Sequence, residues 1–401
     1  MITALIVAKA PIAGQAKTRL VPPLSGAQAA DLQRALLLDT LDACRRETDD
    51  VRLLVVSADE RAGLLSLAPG TPIELQRGEG LAGALRHGIA DHVGARAVAI
   101  ISSDIPGIPA GSLVSALEAL DDGADVVLGP AMDGGYWLVA MRESHEAPFR
   151  DIPWSTPAVW AVTLHRCREA GLRVHELAPW RDLDTYADLA ACRDEIDAAL
   201  APNTARVLGE LTDDGIVSDE AAPRLLESEL LAVSPWRSVL TDEFRRADGS
   251  QSSYTYLAVQ RAVFIVAVTG DHQVVLVRQY RHPVRDWTLE VPAGSVNDGE
   301  SALQAAEREL REEVGGRASH WRHLTRFYSS SAHLSLRSDA FLATAVELDA
   351  PDPDEEENLA TVLMPLEEVL ASARAGGFVE GQTALAILLA GELLDGNERP
   401  L

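Results

Sequence analysis

Glu309, Glu312 and Glu313 fall within one turn of a stretch whose apolar residues Leu303, Ala306, Leu310 and Val314 recur at helical spacing. Carboxylates gathered this closely repel one another unless a cation lies among them, and hard oxygen donors suit Mg²⁺ or Mn²⁺. A diphosphate needs such an ion to offset its own charge, so metal-assisted diphosphate chemistry is one reading of the stretch. The other is a solvated acidic helix, with Arg308 and Arg311 supplying i,i+4 pairs. The wider spacing favours chemistry. From Gly294 to Gly316 the sequence GSVNDGESALQAAERELREEVGG runs as Gly, five residues, Glu, seven residues, then Arg-Glu-apolar-x-Glu-Glu-x-Gly-apolar, with only the last position, Gly316, out of pattern. Gly294, Glu300, Arg308, Glu309, Leu310, Glu312, Glu313 and Gly315 all keep that register.

A second set of candidates lies near the start of the chain. The apolar run Ile2 to Ala8 reads as a buried strand and leads into a Gly14-containing loop carrying Lys9, Lys17 and Arg19, with helical sequence from Ala27 to Cys44. Strand, cationic loop and helix form a phosphate-handling arrangement, although the Gly-Lys-Ser/Thr ending of a Walker A loop is missing. Asp104 follows the apolar run Ala97 to Ile101, at the strand end where ligands of open α/β sheets bind. Asp133 lies in the turn Asp133-Gly134-Gly135 and serves either the turn or a ligand. Asp184, in Arg181-Asp182-Leu183-Asp184-Thr185, is either a helix cap or a metal ligand.

The elements that must position these residues divide the chain in two. At 401 residues it exceeds one ordinary domain. The early strands alternate with helical stretches, among them Leu81 to His92, in the manner of a Rossmann-type sheet. Residues 199–234 interrupt the strand pattern with helix-prone acidic sequence punctuated by Pro202 and Pro223, which predicts a linker with one or two short helices. Strand-like runs resume at Trp236 to Arg246, Tyr254 to Val259, Ala262 to Val268 and Gln273 to Arg278. The expected domains are therefore 1–198, a linker at 199–234, and 235–401. A formal charge of −26 opposes nucleic-acid polymers and anionic membranes as partners, while small nucleotides remain open to local cations or a metal. Three cysteines at no zinc spacing, together with no export signal or membrane-length apolar run, point to a cytoplasmic protein.

The Gly294–Gly316 stretch resembles the signature box of Nudix hydrolases, enzymes that cleave a nucleoside diphosphate linked to another group. Arg278-Gln279-Tyr280-Arg281 and Glu290-Val-Pro-Ala293-Gly294 before it are most similar to the ADP-ribose and ADP-sugar pyrophosphatases of that group. The likeness implies that Arg278, Arg281 and Glu290 contact substrate, and that the Ala293 carbonyl joins Glu309 and Glu313 on metal. Glu312 would hold a further ion or an activated water, and Arg308 would steady the carboxylates. It also implies a general base from a loop C-terminal to the box. The matching run is Asp354-Glu355-Glu356-Glu357, where alternation turns Glu355 and Glu357 the same way, unless the run is simply a solvated acidic loop. The usual Pro-Gly and acidic residue after the box are replaced by Ser331-Ala332 and Leu336.

Residues 1–195, through AKAPIAGQAKTRL, SSDIPGIP, LGPAMDGGYWLVA, IPWSTP and RDLDT, resemble a GT-A-fold glycosyltransferase-like family related to small nucleotidyltransferases. That likeness implies that Gly14, Lys17 and Arg19 hold nucleotide phosphates and that Asp104 and Asp184 bind the divalent cation. Val21-Pro22-Pro23 stands where many sugar nucleotidyltransferases carry a Lys, which leaves glycosyl and nucleotidyl transfer both open. The expected architecture is α/β: a GT-A-like Rossmann-type sheet joined to a Nudix α/β/α sandwich. The expected function is a bifunctional enzyme that hydrolyses a nucleotide diphosphate compound with Mg²⁺ and transfers a glycosyl or nucleotidyl group. The rival is a first half that only senses or scaffolds a nucleotide sugar and regulates the second. Small nucleotides are the expected partners, with room for a homodimer through the Nudix half.

Overall fold

A strand buried along its length must be covered on both faces, and Ile2 to Val7, with Thr3 its one polar residue, lies in the interior of its sheet. The computed structural model describes residues 1–401 apart from 22, 79, 214–222, 235–236, 247, 350–358 and 395–401. Its chain forms two compact units, Met1–Thr255 and Tyr256–Leu401.

The first unit runs β1 (Ile2–Val7), α1 (Gly26–Glu47), β2 (Val51–Val55), α2 (Ala58–Leu64), β3 (Ile73–Leu75), α3 (Gly80–His92), β4 (Ala97–Ser102) and α4 (Ser112–Asp121). It continues with β5 (Val126–Pro130), β6 (Tyr136–Met141), α5 (Val159–Glu169), β7 (Val174–Glu176), α6 (Tyr186–Glu195) and α7 (Pro202–Asp213). The strand order is β3-β2-β1-β4-β6-β5-β7, parallel except where β6 runs against β4 and β5. The chain moves outward from β1 through β2 to β3, then crosses back to β4, so the order reverses beside β1 and opens a crevice at the carboxyl ends of β1 and β4. The register Val7 to Ser102 brings the cationic loop after β1 alongside Ser103-Asp104. Leu37, Leu41 and Cys44 of α1 pack on Ile2, Ala4 and Ile6.

Within the expected linker 199–234, the described residues form α7 and the strand Arg224–Val233. Val207, Leu208 and Leu211 of α7 pack against Leu32 and Leu36 of α1, which makes α7 part of the first unit. The contact has a polar anchor: Asp39 of α1, 1 % exposed, accepts from the Asn203 and Thr204 backbone N–H groups and from the Asn203 Nδ2 and Thr204 Oγ1, at 2.7–3.1 Å. A buried carboxylate thus satisfies donors that the first turn of α7 cannot pair within the helix. Further on, β8 (Arg224–Val233) pairs antiparallel with β9 (Arg237–Arg245), and β10 (Gln251–Val259) completes a three-stranded sheet. Glu227 and Glu229 occupy exposed positions of β8, which is why acidic sequence there is compatible with a strand. The two units divide inside β10.

The second unit contains β11 (Ala262–Thr269), β12 (Gln273–Arg281), β13 (Asp286–Glu290), β14 (Ala293–Ser295), α8 (Ala302–Val314), β15 (Gly316–Tyr328), β16 (Arg337–Leu348), β17 (Ala360–Pro365), α9 (Leu366–Arg374) and α10 (Gly381–Leu394). The mixed sheet has the path β13-β12-β11-β16-β15, with β14 added to β11 and β17 to β12. Alternation along β11 decides the layers. Val263, Ile265 and Ala267 pack with Ala306, Leu310 and Val314 of α8, whereas Phe264, Val266 and Val268 pack with α9 and α10. This is an α/β/α sandwich.

Replacing Asp39 by Ala would strand the donors at the start of α7. We expect Asp39→Ala to destabilise the first unit by roughly 2–3 kcal/mol, read as an earlier urea transition, with the second unit's transition unmoved. A free-hanging α7 would leave both transitions in place.

Candidate active sites

In the second unit the sequence sets α8 sharply. Ser301 caps its start in a box with Gln304, and Gly315, in the left-handed region at φ 67°, ends it. The helix brings Arg308 into a cage in which all its N–H groups are engaged. Nε and Nη2 donate to the two Glu300 oxygens at 3.0 Å, Nη2 also to the Ser295 carbonyl at 2.7 Å, and Nη1 to Glu309 at 2.7 Å and Glu312 at 3.0 Å. Burial opposes the guanidinium charge, but the surrounding carboxylates outweigh it and raise its pKa.

Glu309 and Glu313, 9 % and 5 % exposed, turn toward β14. The Ala293 N–H donates to Glu313 Oε2 at 3.0 Å, and the Glu309 carboxylate occupies the space that a Cβ on Gly294 would fill. Glu312 lies further out, 40 % exposed at its side chain. The expected convergence of three carboxylates is therefore divided: among the described residues no three His, Cys, Asp or Glu side chains form a metal cluster. Arg308 Nη1 holds Glu309 and Glu312, the Ala293 N–H holds Glu313, and the Glu309 carboxylate lies against Gly294. The two buried carboxylates beside Ala293-Gly294 are an oxygen donor set that fits a hard divalent ion.

The expected substrate residues separate by strand parity. Gln279 and Arg281 share the face of Val275 and Val277, toward α8, whereas Arg278 and Tyr280 share that of Val274 and Leu276. Arg281 donates from Nε to Glu290 Oε1 at 2.9 Å and from Nη2 to Oε2 at 2.5 Å, and Thr288 Oγ1 adds a bond at 2.6 Å. Glu290 is 1 % exposed and also accepts from Gln279 Nε2 at 3.1 Å. The Arg278 guanidinium lies over Trp287, 4.6 Å from the ring centroid, with Tyr280 edge-on to the same ring. Trp287 and Tyr280 are exposed aromatics absent from the sequence expectation, because their pairing appears only once the β12–β13 register is known. Glu355 and Glu357 lie outside the described residues.

In the first unit a cavity of about 610 Å³ opens at the carboxyl ends of β1 and β4, and Lys9, Arg19, Asp104, Asp133, Asp182 and Asp184 line its polar part. Tyr136 and Trp154, edge to face, contribute to its walls. Gly14 sits in the loop turn at φ 79°, outside the lining, with its N–H group close over the start of α1 at Gly26. Lys17 holds a left-handed backbone, φ 48° and ψ 39°, a conformation costing a non-glycine residue about 1–3 kcal/mol. Its ammonium lies 3.1 Å from Asp104 Oδ1 and 2.9 Å from Asp184 Oδ1, with its side chain 4 % exposed. Arg19 takes the other Asp184 oxygen at 2.7 Å. Burial alone would lower the Lys17 pKa; Asp104 and Asp184 reverse that and raise it. The two aspartates expected to share a metal ion are thus bridged by a lysine. Asp133 is fixed by the Gly135 N–H at 2.8 Å, and its pKa is raised chiefly by burial.

Asp182 went unassigned in the sequence, yet its Oδ1 is buried without a hydrogen-bond partner and its pKa is pushed well up, by burial and then by the Asp133 and Asp184 carboxylates. A signal existed: two positions before Asp184 in extended sequence, it faces the same way.

Comparison with known proteins divides the chain likewise. The NUDIX domain model matches residues 258–381, and a family described as "Uncharacterized protein conserved in bacteria (DUF2064)" matches residues 40–156. An ADP-ribose pyrophosphatase of Bacillus subtilis is 31 % identical over 31 % of this chain and 69 % of its own length. The ADP compounds hydrolase NudE of Escherichia coli is 28 % identical over 44 % of this chain and 96 % of its own. A crystal structure from Desulfovibrio desulfuricans G20, of a protein provisionally named a nucleotide-diphospho-sugar transferase, matches 54 % of this chain and 96 % of its own at 29 % identity and a TM-score of 0.50. The N-terminal region therefore shares the nucleotide-sugar transferase fold. Among the described residues no helix is long and apolar enough to cross a membrane.

A methyl group at Gly294 must displace the Glu309 carboxylate. We expect Gly294→Ala to weaken Mn²⁺ binding by about 10–100-fold while thermal unfolding of the second unit stays near that of the parent. Unchanged Mn²⁺ affinity would remove Glu309 from the donor set.

Proposed function

The chain belongs to the Nudix family through its second unit, and from that premise we propose that this unit hydrolyses the diphosphate of a nucleoside diphosphate-linked compound, ADP-ribose or a nucleotide sugar, with Mg²⁺ or Mn²⁺. The carrying observation is the pair of buried carboxylates beside Ala293-Gly294, Glu309 fixed by the fully engaged Arg308 and Glu313 by the Ala293 N–H. The names of two relatives, an ADP-ribose pyrophosphatase and an ADP compounds hydrolase, support the substrate class.

A bound divalent ion would offset the diphosphate charge and make a water more acidic. Glu309, Glu313 and the Ala293 carbonyl would hold it, with Glu312 at the rim. Arg308 keeps Glu309 oriented at no further cost in ordering. Arg281, braced by Glu290, presents a fork suited to phosphate oxygens, and the Arg278–Trp287–Tyr280 surface offers aromatic faces to a base or sugar. The attacking water needs a proton acceptor whose basicity is not already reduced by the metal, and Glu355 or Glu357 is assigned that part.

For the first unit the reading is a nucleotide-linked sugar bound in the crevice beside β1 and β4, with a glycosyl or nucleotidyl group passed to an acceptor. It is supported by the cationic loop opposite Asp104, the cavity, and the fold shared with the Desulfovibrio protein.

The test is a panel of ADP-ribose, nucleotide sugars and dinucleotides, with nucleoside monophosphate release followed at saturating Mg²⁺. Parent chain should release it from at least one compound and the Glu309→Gln/Glu313→Gln chain from none. Of Glu355→Gln, Glu356→Gln and Glu357→Gln, we expect one of the outer two to lose about 10²–10⁴-fold in turnover and the middle one to be near normal. If all three turn over normally, the base is elsewhere and Glu312 is next to be tested; if no compound on the panel is split, the hydrolase reading fails.

A further inference from the structure

The most unusual placement in the molecule is the Lys17 ammonium, inserted between the two carboxylates that the fold would lead one to assign to a divalent ion. Four observations bear on it. Both carboxylates are within ion-pair distance of the one ammonium, which is almost wholly sheltered from water. Two cations, Lys17 and Arg19, face Asp104 and Asp184, with Asp133 and Asp182 adding further negative charge near Asp184. The backbone that delivers the ammonium is fixed from below: Leu20, fully buried with Leu24, Leu32 and Leu183, returns its N–H to the Lys17 carbonyl at 2.9 Å. The carboxylates are tied together as well, because the Leu183 N–H donates to the Asp104 carbonyl at 2.9 Å. A divalent ion entering here would have to expel an ammonium from a sheltered position and reorganise an anchored left-handed residue.

We infer that the first unit engages the phosphates of its ligand without a divalent cation, the Lys17 ammonium serving as a built-in cation between Asp104 and Asp184. The nature of the ligand rests on the nucleotide-sugar reading above; the cation assignment rests on the placement of Lys17. A lysine is a point charge with three donors, so one ammonium, lying outside the cavity lining, can hold Asp104 and Asp184 together in place of an ion. Arg19, 37 % exposed at its side chain and lining the cavity, is the cation that meets the phosphate.

The experiment counts Mn²⁺ bound to the full chain by the loss of the free-ion electron paramagnetic resonance signal. We expect the parent and Asp104→Asn chains to bind the same number, and the Glu309→Gln/Glu313→Gln chain to bind none. Lys17→Met should then gain about one equivalent, lost again when Asp104→Asn is added. A parent count that falls on Asp104→Asn overturns the inference, as does a Mn²⁺ retained by Glu309→Gln/Glu313→Gln and removed by Asp104→Asn. The parent and Asp104→Asn counts decide even if Lys17→Met fails to fold. In a second arm, ADP-glucose and UDP-glucose are titrated into the Glu309→Gln/Glu313→Gln chain in EDTA and in Mg²⁺. Equal affinity in both supports the inference and affinity confined to Mg²⁺ overturns it. If neither compound binds, the nucleotide-sugar reading is lost while the Mn²⁺ counts still decide the cation.

Discussion

Carboxylates packed at the end of a strand are held there only if positive charge is fixed among them, and both units of this chain are built around that requirement. The problem is acute in a protein with a formal charge of −26, where few cations are spare. The second unit uses an arginine. Arg308 reaches Glu300, Glu309, Glu312 and the Ser295 carbonyl, so it joins the loop before α8, the helix and β14 through a single planar group. Each bond uses a direction the guanidinium fork already has, so little side-chain freedom is lost for each contact formed. The cost of placing Glu309 and Glu313 in a sheltered position is offset by this cage and by the Ala293 N–H.

Backbone contacts complete the arrangement and explain where the sequence departs from its pattern. Gly316 stands where the signature has an apolar residue, and a Cβ there would come within 2.8 Å of Leu310 Cγ. The chain turns directly from the αL end of α8 into β15, so the strand starts against the helix it has just left. A side chain at 316 would push that strand away from Leu310 and loosen the apolar face of α8 that adjoins the carboxylates. The departure thus belongs to the packing of this particular turn and leaves the oxygen donors alone.

What was legible in the sequence follows period and position. The apolar spacing of Leu303, Ala306, Leu310 and Val314 predicts α8, and Ser301 and Gly315 bound it within a residue. The strand before Asp104 and its place at the reversal of the sheet were likewise readable, because a short buried run followed by a carboxylate carries its own geometry. Parity was readable too and was underused: Arg278 and Arg281 are an odd number of residues apart on one strand and so face opposite ways, while Asp182 and Asp184 face together. Other features depend on distant pairing and have no local signal. The stacking of Arg278 on Trp287 needs the β12–β13 register, and the attachment of α7 to α1 needs Asp39 and Asn203 to meet across 164 positions of sequence. The acidic strand β8 reads as linker because its exposed glutamates resemble those of a solvated coil.

The choice between the two cations has a chemical consequence. Arg308 is committed along every donor and bonds Glu309 at its side of the pair, while Glu313 accepts from the Ala293 N–H and the Glu309 carboxylate lies against Gly294 of β14. Lys17 sits between its two carboxylates and closes the gap that an ion would use. The same electrostatic demand therefore yields opposite results: beside the pair, a fixed cation arranges oxygens that can accept a metal; between the pair, it replaces one. Interchanging the residue types would not preserve either arrangement. A lysine at 308 could not span Glu300, Glu309, Glu312 and Ser295 at once, and an arginine at 17 would bring a wider planar group into a position sized for an ammonium.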